Sequence, residues 1–496
     1  MSSPDATIEA LLGTARAARC HNSFFRQQQL KSLHDKLRNN VQKIRNAVKG
    51  DTGAIDAEIT KEIAATLKVI KEHYAGIDPE KELDEEYKVQ QRQNAADRKL
   101  PWGVVYIEPQ LRHTPFFSVV VPLCVALAAG NCVALKLETT TQVLPALLQT
   151  LLRDALESDT FQIVTSSPSS ESIAQCLSVL QHGEGTPQPT YSQLVSPGSK
   201  VIAVVDRTAD LSVAAEQLVK ARFAFGGTSP YAPDVILVNE FVEREFLNLV
   251  TEHSKQYLFA TVFSEEYDDQ IQSDYTYAGP HMVDTMVAIE KDKIWNMSGC
   301  AHGWNGHIGI LSTSSKTLAP LPPKISAPIF ASFPITSLDH AVDLAALDSD
   351  DQLLAAYHFA APAHTKYLSQ FIKARISFAN YVPTSLLVGP AAPVGHSVDQ
   401  TTRYTKDQFI RHSPVFVAGS KSHSGLDSTA SKEVDKLLAD AAMEIKAKKR
   451  AEWKSLGFFE QGILIGLGVY GVPILTCLGA SVYFGVRAGM RRWSLS

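Results

Sequence analysis

Cysteine is scarce in this chain of 496 residues. Its six cysteines (Cys20, Cys124, Cys132, Cys176, Cys300 and Cys477) are spread without paired spacing, which argues against a disulfide framework. The amino terminus, MSSPDATIEALLG, lacks a basic segment followed by an apolar one, so no secretory leader is expected and a reducing, cytosol-facing compartment follows. Neither sign of charge is in large excess: the net charge is −5 and the sequence pI is near 6.3. Nothing in that balance attracts nucleic acid, so no nucleic-acid partner is expected. One stretch breaks this globular pattern, and it lies at the very end of the chain.

That exception is residues 462–486, GILIGLGVYGVPILTCLGASVYFGV, without a single charge. At 1.5 Å rise per residue, such a run crosses the roughly 30 Å hydrocarbon core of a bilayer, and it predicts a transmembrane anchor. Gly466, Gly468 and Gly471 satisfy G-x-G-x-x-G, but a dinucleotide fingerprint needs a strand before it and a soluble helix after it, so the match is a false one. Gly462 and Gly466 form a small-xxx-small pair that permits close approach of two membrane helices, and Pro473 is expected to kink the span. Basic residues flank the run on both sides, so their distribution assigns no orientation. The missing leader instead places the large domain in the cytosol, with only the last residues crossing.

Ahead of the anchor, hydrophobic periodicity changes from helical to alternating. Leu30, Leu33, Leu37, Val41, Ile44 and Val48 recur at helical spacing on a charged background between Arg26 and Tyr74. From Trp102 onward, GVVYI, FSVVVPLCVALAAG and CVALKL read as strand, helix and strand, and KVIAVVD, ADLSVAAEQLVKARFAF and DVILV repeat the pattern. The fold class is therefore α/β with substantial parallel sheet. Residues 264–323, rich in Ser, Asp and Gly, show no clear period and read as irregular loops, while about 432–454 reads as one long charged helix.

These segments resemble the aldehyde dehydrogenases, in particular the membrane-anchored fatty aldehyde dehydrogenase branch. The resemblance is carried by PWGVVYIEPQLRHTPFFSVVVPLCVALAAGNCVALK, by VVDRTADLSVAAEQLVKARFAFGGTSPYAPDVILV, by APIFASFPI and by RYTKDQFIRHSPV, in the family's order. It implies a Rossmann-like cofactor domain (residues 101–210, preceded by a helical region, 1–100) and a catalytic-type α/β domain (211–385). A return segment with a strand arm for dimerisation (386–430), a charged helix (431–461) and the anchor (462–486) complete the expected organisation. Strands near GVVYIEP and the RYTKDQFIRHSPVFV segment are the expected dimer contacts, with a second copy or an active paralogue as partner.

The same resemblance implies where the chemistry belongs. In the family a thiolate attacks an aldehyde, hydride passes to a nicotinamide cofactor, and water hydrolyses the thioester. The thiolate's place in the turn FGGTSPYAPD is held by Pro230, which has neither a thiol nor a backbone N–H to direct at an oxyanion. The asparagine that supplies the other oxyanion donor is matched by His113, and the general-base glutamate by Ser196 in SPGSK. A hydroxyl of ordinary acidity does not replace a carboxylate as base near pH 7. The segment from Leu180 to Ser196 is expected to be too short to hold the family's phosphate-binding strand and helix. Lys136 survives as a remnant of the cofactor-ribose contact although its acidic partner is Thr139, and Phe330 survives beside Pro328, which stands where a cofactor-contacting glutamate would.

Other residues carry blander readings. Cys124 and Cys132 lie in an apolar helix–strand unit and read as packing residues, and Lys136 and Lys200 as solvated charges at strand ends. Cys300, His302 and His307 in CAHGWNGH supply three ligands without a paired motif and read as a surface loop, so no metal is expected. The reading is a membrane-anchored member of the fold that has lost its dehydrogenase reaction and acts as scaffold or regulatory partner, with no cofactor expected. The alternative is an active NAD(P)-dependent oxidoreductase on fatty aldehydes with non-standard site residues.

Overall fold

Short continuous apolar runs, rather than alternating ones, mark strands covered on both faces, and VVYIE, CVALK, VIAVV and VILVN each become such a strand. The computed structural model of the chain describes residues 3–91, 99–138, 140–182, 189–259, 296–303, 306–312, 321–347, 352–412, 431–445 and 458–493. The strands are β1 (Lys99–Pro101), β2 (Val104–Glu108), β3 (Cys132–Lys136), β4 (Phe161–Val164), β5 (Leu177–Leu180), β6 (Gln193–Val195) and β7 (Val201–Val205). They continue with β8 (Val235–Asn239), β9 (Asn296–Gly303), β10 (Gly306–Ser312), β11 (Ile329–Ile335), β12 (Ala355–Phe359), β13 (Ser377–Ala379) and β14 (Ile410–His412). The contiguous unit formed by residues Met1–Ala418 contains all of them.

A parallel five-stranded sheet runs in the order β4-β3-β2-β5-β6, and a seven-stranded sheet in the order β13-β12-β7-β8-β11-β10-β9. The larger sheet is parallel except for β9, which returns antiparallel along β10. Helix Pro115–Ala128 is buried along its whole length, and Leu30, Leu33 and Leu37 of helix Ser23–Asn39 join it in one core with Ile59, Ile63 and Ile70 of helix Asp56–Ala75. The expected amphipathic stretch between Arg26 and Tyr74 is thus three helices, Ser23–Asn39, Val41–Thr52 and Asp56–Ala75.

Three expectations about the sheets need correction. Residues 264–323 hold more than loops, because the hairpin β9–β10 lies within them and extends the large sheet; Gly and Ser weaken the period there, and pairing to β11 supplies what the period does not. A strand, β6, does lie between Leu180 and Ser196, with Gln193 in register with Ser178. GVVYI is not a dimer edge: β2 is the central strand of its sheet, paired on both sides with β3 and β5, so it has no free backbone edge. RYTKDQFIRHSPVFV contributes β14, which pairs antiparallel with β1 in a separate two-stranded ribbon.

The second unit comprises Gly419–Ser496. Its first helix among the described residues is Ser431–Ala441, so the charged helix expected over 432–454 ends at Ala441 there, and residues 446–457 lie outside the described residues. The apolar helix runs from Phe458 to Trp493 with a π-type turn at Leu467–Gly471. That turn immediately precedes Pro473, whose ring would meet the carbonyl four residues earlier in a regular helix. Thr476 donates its hydroxyl to the carbonyls of Val472 (2.9 Å) and Pro473 (2.8 Å). Within Glu460–Arg491 an 18-residue window reaches a mean hydropathy of 2.0, and the helix is long and apolar enough to cross a membrane.

Candidate functional site

Helix Leu211–Phe223 delivers the chain into a tight turn, Ala224–Gly227, where Phe225, Gly226 and Gly227 all have left-handed backbone (φ 52°, 62° and 71°). Gly227 is required for a second reason: a Cβ there would sit 2.4 Å from the Ala327 carbonyl oxygen. Beneath the turn Arg222 is fully buried and spends its guanidinium on backbone, donating to Pro233 O (3.1 Å), Ile325 O (2.8 Å), Ala327 O (2.7 Å) and Gly227 O. Burial lowers its pKa to about 10, partly countered by Asp234, so it stays charged. Asp234 accepts from the N–H groups of Val201 (2.7 Å) and Ile325 (2.9 Å) and from Lys324 Nζ (3.1 Å). Lys324 also donates to the carbonyl of Pro230 at 2.6 Å. Pro230 is therefore held from below by a buried charge cluster, whose work is to shape the turn.

His113 lies beside this turn, as the resemblance implies, but both its ring nitrogens are engaged within the protein. Nε2 is 2.8 Å from the Leu387 carbonyl, and Nδ1 is 3.0 Å from the Thr228 hydroxyl. A carbonyl only accepts, so the neutral ring carries its hydrogen on Nε2 and Nδ1 accepts. Burial drives its pKa down to about 3, which keeps it neutral. The ring packs edge-on against Phe225 at 5.5 Å between centroids. In this arrangement His113 has no N–H left to offer an oxyanion.

Helix Asp56–Ala75 clamps both halves of the site through two carboxylates one turn apart. Glu58 accepts from the N–H of Phe225 at 2.9 Å, and Glu62 from the N–H of Phe117 at 3.1 Å, at the start of helix Pro115–Ala128. That helix start carries Thr114 in a left-handed conformation (φ 40°), with its hydroxyl accepting from Gly389 N at 3.0 Å. Burial raises the pKa of both acids, and Glu62 reaches about 7. A cavity of about 100 Å³ opens beside this clamp, lined in part by Ile55, Glu58, Lys61, Phe225, Tyr257 and Leu387. Ligand pockets usually exceed about 300 Å³.

Ser196 is buried and donates its hydroxyl to the Ala391 carbonyl at 2.7 Å. Next to it the fully buried Tyr231, one residue after Pro230, accepts from Ala392 N at 3.0 Å, while its own carbonyl receives the Tyr357 hydroxyl at 2.9 Å. Arg403 lies over the Tyr231 ring at 5.3 Å and donates to the carbonyls of Ser385, Leu386 and Val388.

In the five-stranded sheet the strand order reverses between β2 and β5, the place where open α/β sheets receive ligands. Here Gln181, immediately after β5, bridges that crevice. Its Oε1 accepts from Gln110 N (3.1 Å) and its Nε2 donates to Ser118 O (3.0 Å) and the Tyr404 hydroxyl (3.2 Å). Lys136, at the end of β3, is not a solvated charge: Nζ lies 3.1 Å from Glu108 and 2.9 Å from Glu138. Its partial burial opposes the charge, but Glu138 and Glu108 outweigh that and raise its pKa. The connection from β5 to β6 contains no helix among its described residues. Phe330 lies on β11, fully buried with ring centroids 6.4 Å from Phe223 and 6.2 Å from Phe246. Thr139 lies outside the described residues. Among the described residues no group of three His, Cys, Asp or Glu could hold a metal. Cys300, His302 and His307 sit on strands rather than in a loop, His302 opposite His307 and Cys300 opposite Gly309.

The structure thus brings Pro230 and His113 to one turn, lays Ser196 alongside Tyr231 on segment 391–392 and packs Phe330 in the core that also holds Tyr231 and Ala224, whereas Lys136 belongs to separate surroundings. Sequence reasoning did not single out Glu58, Glu62, Tyr231, Gln181, Lys324 or Arg403. The one signal available was the i,i+4 spacing of two acids on an otherwise apolar helix face.

Residues 6–182 match the family model described as "Aldehyde dehydrogenase family". The 4,4'-diaponeurosporen-aldehyde dehydrogenase of Staphylococcus aureus is 24% identical over 254 residues, covering 47% of this chain and 54% of the relative. The dimeric NADP-preferring aldehyde dehydrogenase of Rattus norvegicus is 22% identical over 52% of this chain and 60% of its own length, so the chain spans little more than half of these two relatives. Aldehyde dehydrogenase family 3 member B1 of Rattus norvegicus is 22% identical over 72% of this chain and 78% of its own length. Among solved structures, a substrate-bound Staphylococcus aureus AldH superposes with a TM-score of 0.66 at 19% identity, over 89% of this chain and all of that one. Betaine aldehyde dehydrogenase of the same organism, in complex with NAD+, gives 0.64 at 12% identity over 84% and 88%. At these identities the structural likeness establishes the fold.

Proposed function

The chain belongs to the aldehyde dehydrogenase superfamily, and from that premise we propose that it acts without dehydrogenase chemistry, as a membrane-anchored scaffold or regulatory partner. The observation that carries this reading is Pro230 in the turn where the family resemblance puts the thiolate. A proline has no nucleophilic atom and no backbone donor, and its carbonyl is tied to Lys324. The surrounding groups support the same reading. Ser196 is spent on Ala391, His113 on Leu387 and Thr228, and Tyr231 fills the space beside the turn.

The residues present do not fit a nicotinamide dinucleotide. Gln181 laces together the loops that a bound dinucleotide would have to part, and Lys136 already neutralises two carboxylates. A pyrophosphate favours backbone N–H groups at a helix start, and no helix follows β5 among the described residues. The proposed anchor is the apolar helix containing residues 462–486, with the large unit facing the cytosol. The proposed partner is a second copy or an active paralogue, reached through the β1–β14 ribbon.

The test is thermal denaturation of the full chain in detergent with millimolar NAD or NADP, paired with an assay of NADH formation from hexadecanal. No shift in Tm and no turnover are expected. A saturable Tm increase with either nucleotide, accompanied by formation of its reduced form, NADH or NADPH, would replace this reading with that of an active oxidoreductase using non-standard residues.

A further inference from the structure

The sulfur atoms of Cys20 and Cys132 lie 3.6 Å apart, although 112 residues separate them in the chain. We propose that this pair is a modification site, at which a hydroperoxide converts the two thiols into a disulfide. Both residues are buried, in a small core patch with Val104, Tyr106 and Ala134. A packing role alone accounts for their burial, but it does not require sulfur to meet sulfur.

The geometry divides the labour between them. Cys132 opens β3 and is fixed in place, its N–H donating to Gly103 O at 2.8 Å. Cys20 sits in a single 3-10 turn, Arg19–His21, entered through Ala18 with a left-handed φ of 55°. The flanking Arg19 and His21 are exposed, so this surface turn is the part that moves. A disulfide needs a sulfur separation near 2.05 Å, and a shift of about 1.5 Å in the turn would close the gap. Either sulfur can donate in this contact, which is the main influence holding the Cys20 pKa below its usual value, with weaker help from Arg19 and Arg26 against burial and Glu157. The attacking thiolate is assigned to Cys20, on the surface turn, and the resolving thiol to Cys132, fixed at the start of β3.

The steps balance. Cys20 thiolate attacks one peroxide oxygen, the O–O bond breaks, and hydroxide leaves, taking up the proton that the Cys20 thiol released to become water and giving a sulfenic acid at Cys20. Cys132 sulfur then attacks the Cys20 sulfur, the S–OH bond breaks, and the Cys132 proton leaves with the oxygen as water. Two thiols are oxidised and one hydrogen peroxide is reduced to two waters.

The bond would tie the amino-terminal turn to the five-stranded sheet. Other cysteines make the assignment testable, because Cys176 lies in the same core patch with its thiol 3.5 Å from Ser172 O, and Cys124 is buried in helix Pro115–Ala128. The experiment treats the full chain in detergent with hydrogen peroxide, then denatures it, alkylates free thiols and maps the peptides by mass spectrometry. The expected product is 2 Da lighter by loss of two hydrogens, with residues 20–26 linked to the peptide carrying Cys132, reversal by dithiothreitol, and a higher Tm in the oxidised form. Cys20→Ser is expected to abolish the link and Cys124→Ser to keep it. A link to Cys176 or Cys124, a Cys20 sulfinic acid with Cys132 still alkylated, or full alkylation of all six cysteines of the chain would overturn the proposal. Fragment-ion mapping of the wild-type chain, which tells Cys132 from Cys124 on their shared peptide 113–136, decides the matter even if a variant fails to fold.

Discussion

Ser196 and Tyr231 grip consecutive residues of one return segment: the Ser196 hydroxyl donates to the carbonyl of Ala391, and the Tyr231 hydroxyl accepts from the N–H of Ala392. The two residues come from the ends of different strands, and together they knit the return segment across the face of the turn that carries Pro230. If these contacts serve packing, as proposed, restoring one reactive atom does not restore the surroundings it needs.

Pro230→Cys is therefore expected to show no NADH formation with hexadecanal at millimolar NAD. Adding Ser196→Glu is expected to leave it silent and to destabilise the fold by about 1–3 kcal/mol, because an ionised carboxylate cannot donate to the Ala391 carbonyl and leaves it unsatisfied. Measurable turnover by the single variant would show that only the nucleophile had been lost.

Glu62 makes stability depend on pH. Its folded pKa, about 7, stands above the ordinary 4.5, so the folded state holds the proton more tightly and stability falls as pH rises from about 4.5 through 7. A difference of that size corresponds to about 3 kcal/mol. His113 works in the opposite direction: with a folded pKa near 3, it stays neutral and costs stability as pH falls below about 6.5. Glu62→Gln keeps an acceptor for Phe117 N–H while removing the first effect. Urea denaturation is expected to find this variant more stable than the wild type at pH 8, with stability that rises up to about pH 6.5 and then levels. Equal profiles for the two proteins would mean that Glu62 ionises normally.

Gly227→Ala is expected to cost more than about 2 kcal/mol, since it combines a left-handed φ with a Cβ 2.4 Å from a backbone oxygen. Gly226 shares the left-handed φ but meets nothing within 4 Å, so Gly226→Ala should cost about half as much. Denaturant midpoints of the two variants check the order.

Deleting everything after Gln461 removes most of the only candidate membrane span among the described residues. The truncated protein is expected in the soluble fraction, and the full chain in the carbonate-washed membrane pellet. Truncated protein in the pellet would shift the anchoring role to another segment.

Light scattering of that soluble form is expected to give a dimer mass at micromolar concentration, weakened by Arg411→Pro, which removes a backbone donor from β14. A monomer mass, with no paralogue copurifying, would remove the dimer from the proposal.

Sequence alone determined the parts that depend on local pattern. Apolar runs such as VVYIE and VIAVV marked β2 and β7 because a strand buried on both faces needs no polar alternation, and residues 462–486 marked a membrane-length helix because nothing in them is charged. The family resemblance alone put Pro230 in the thiolate's place, through the block that ends in Ala232, Pro233 and Asp234. Tertiary structure decided the rest. The β9–β10 hairpin lies in a stretch of weak period and acquires its place only by pairing with β11. That His113 has both nitrogens occupied, that Glu58 and Glu62 hold the two halves of the site, and that Gln181 closes the crevice all depend on partners distant in the chain. Hydrogen bonds of that kind have no period and no spacing. They exist only once packing has brought the donor and acceptor together and excluded water from between them.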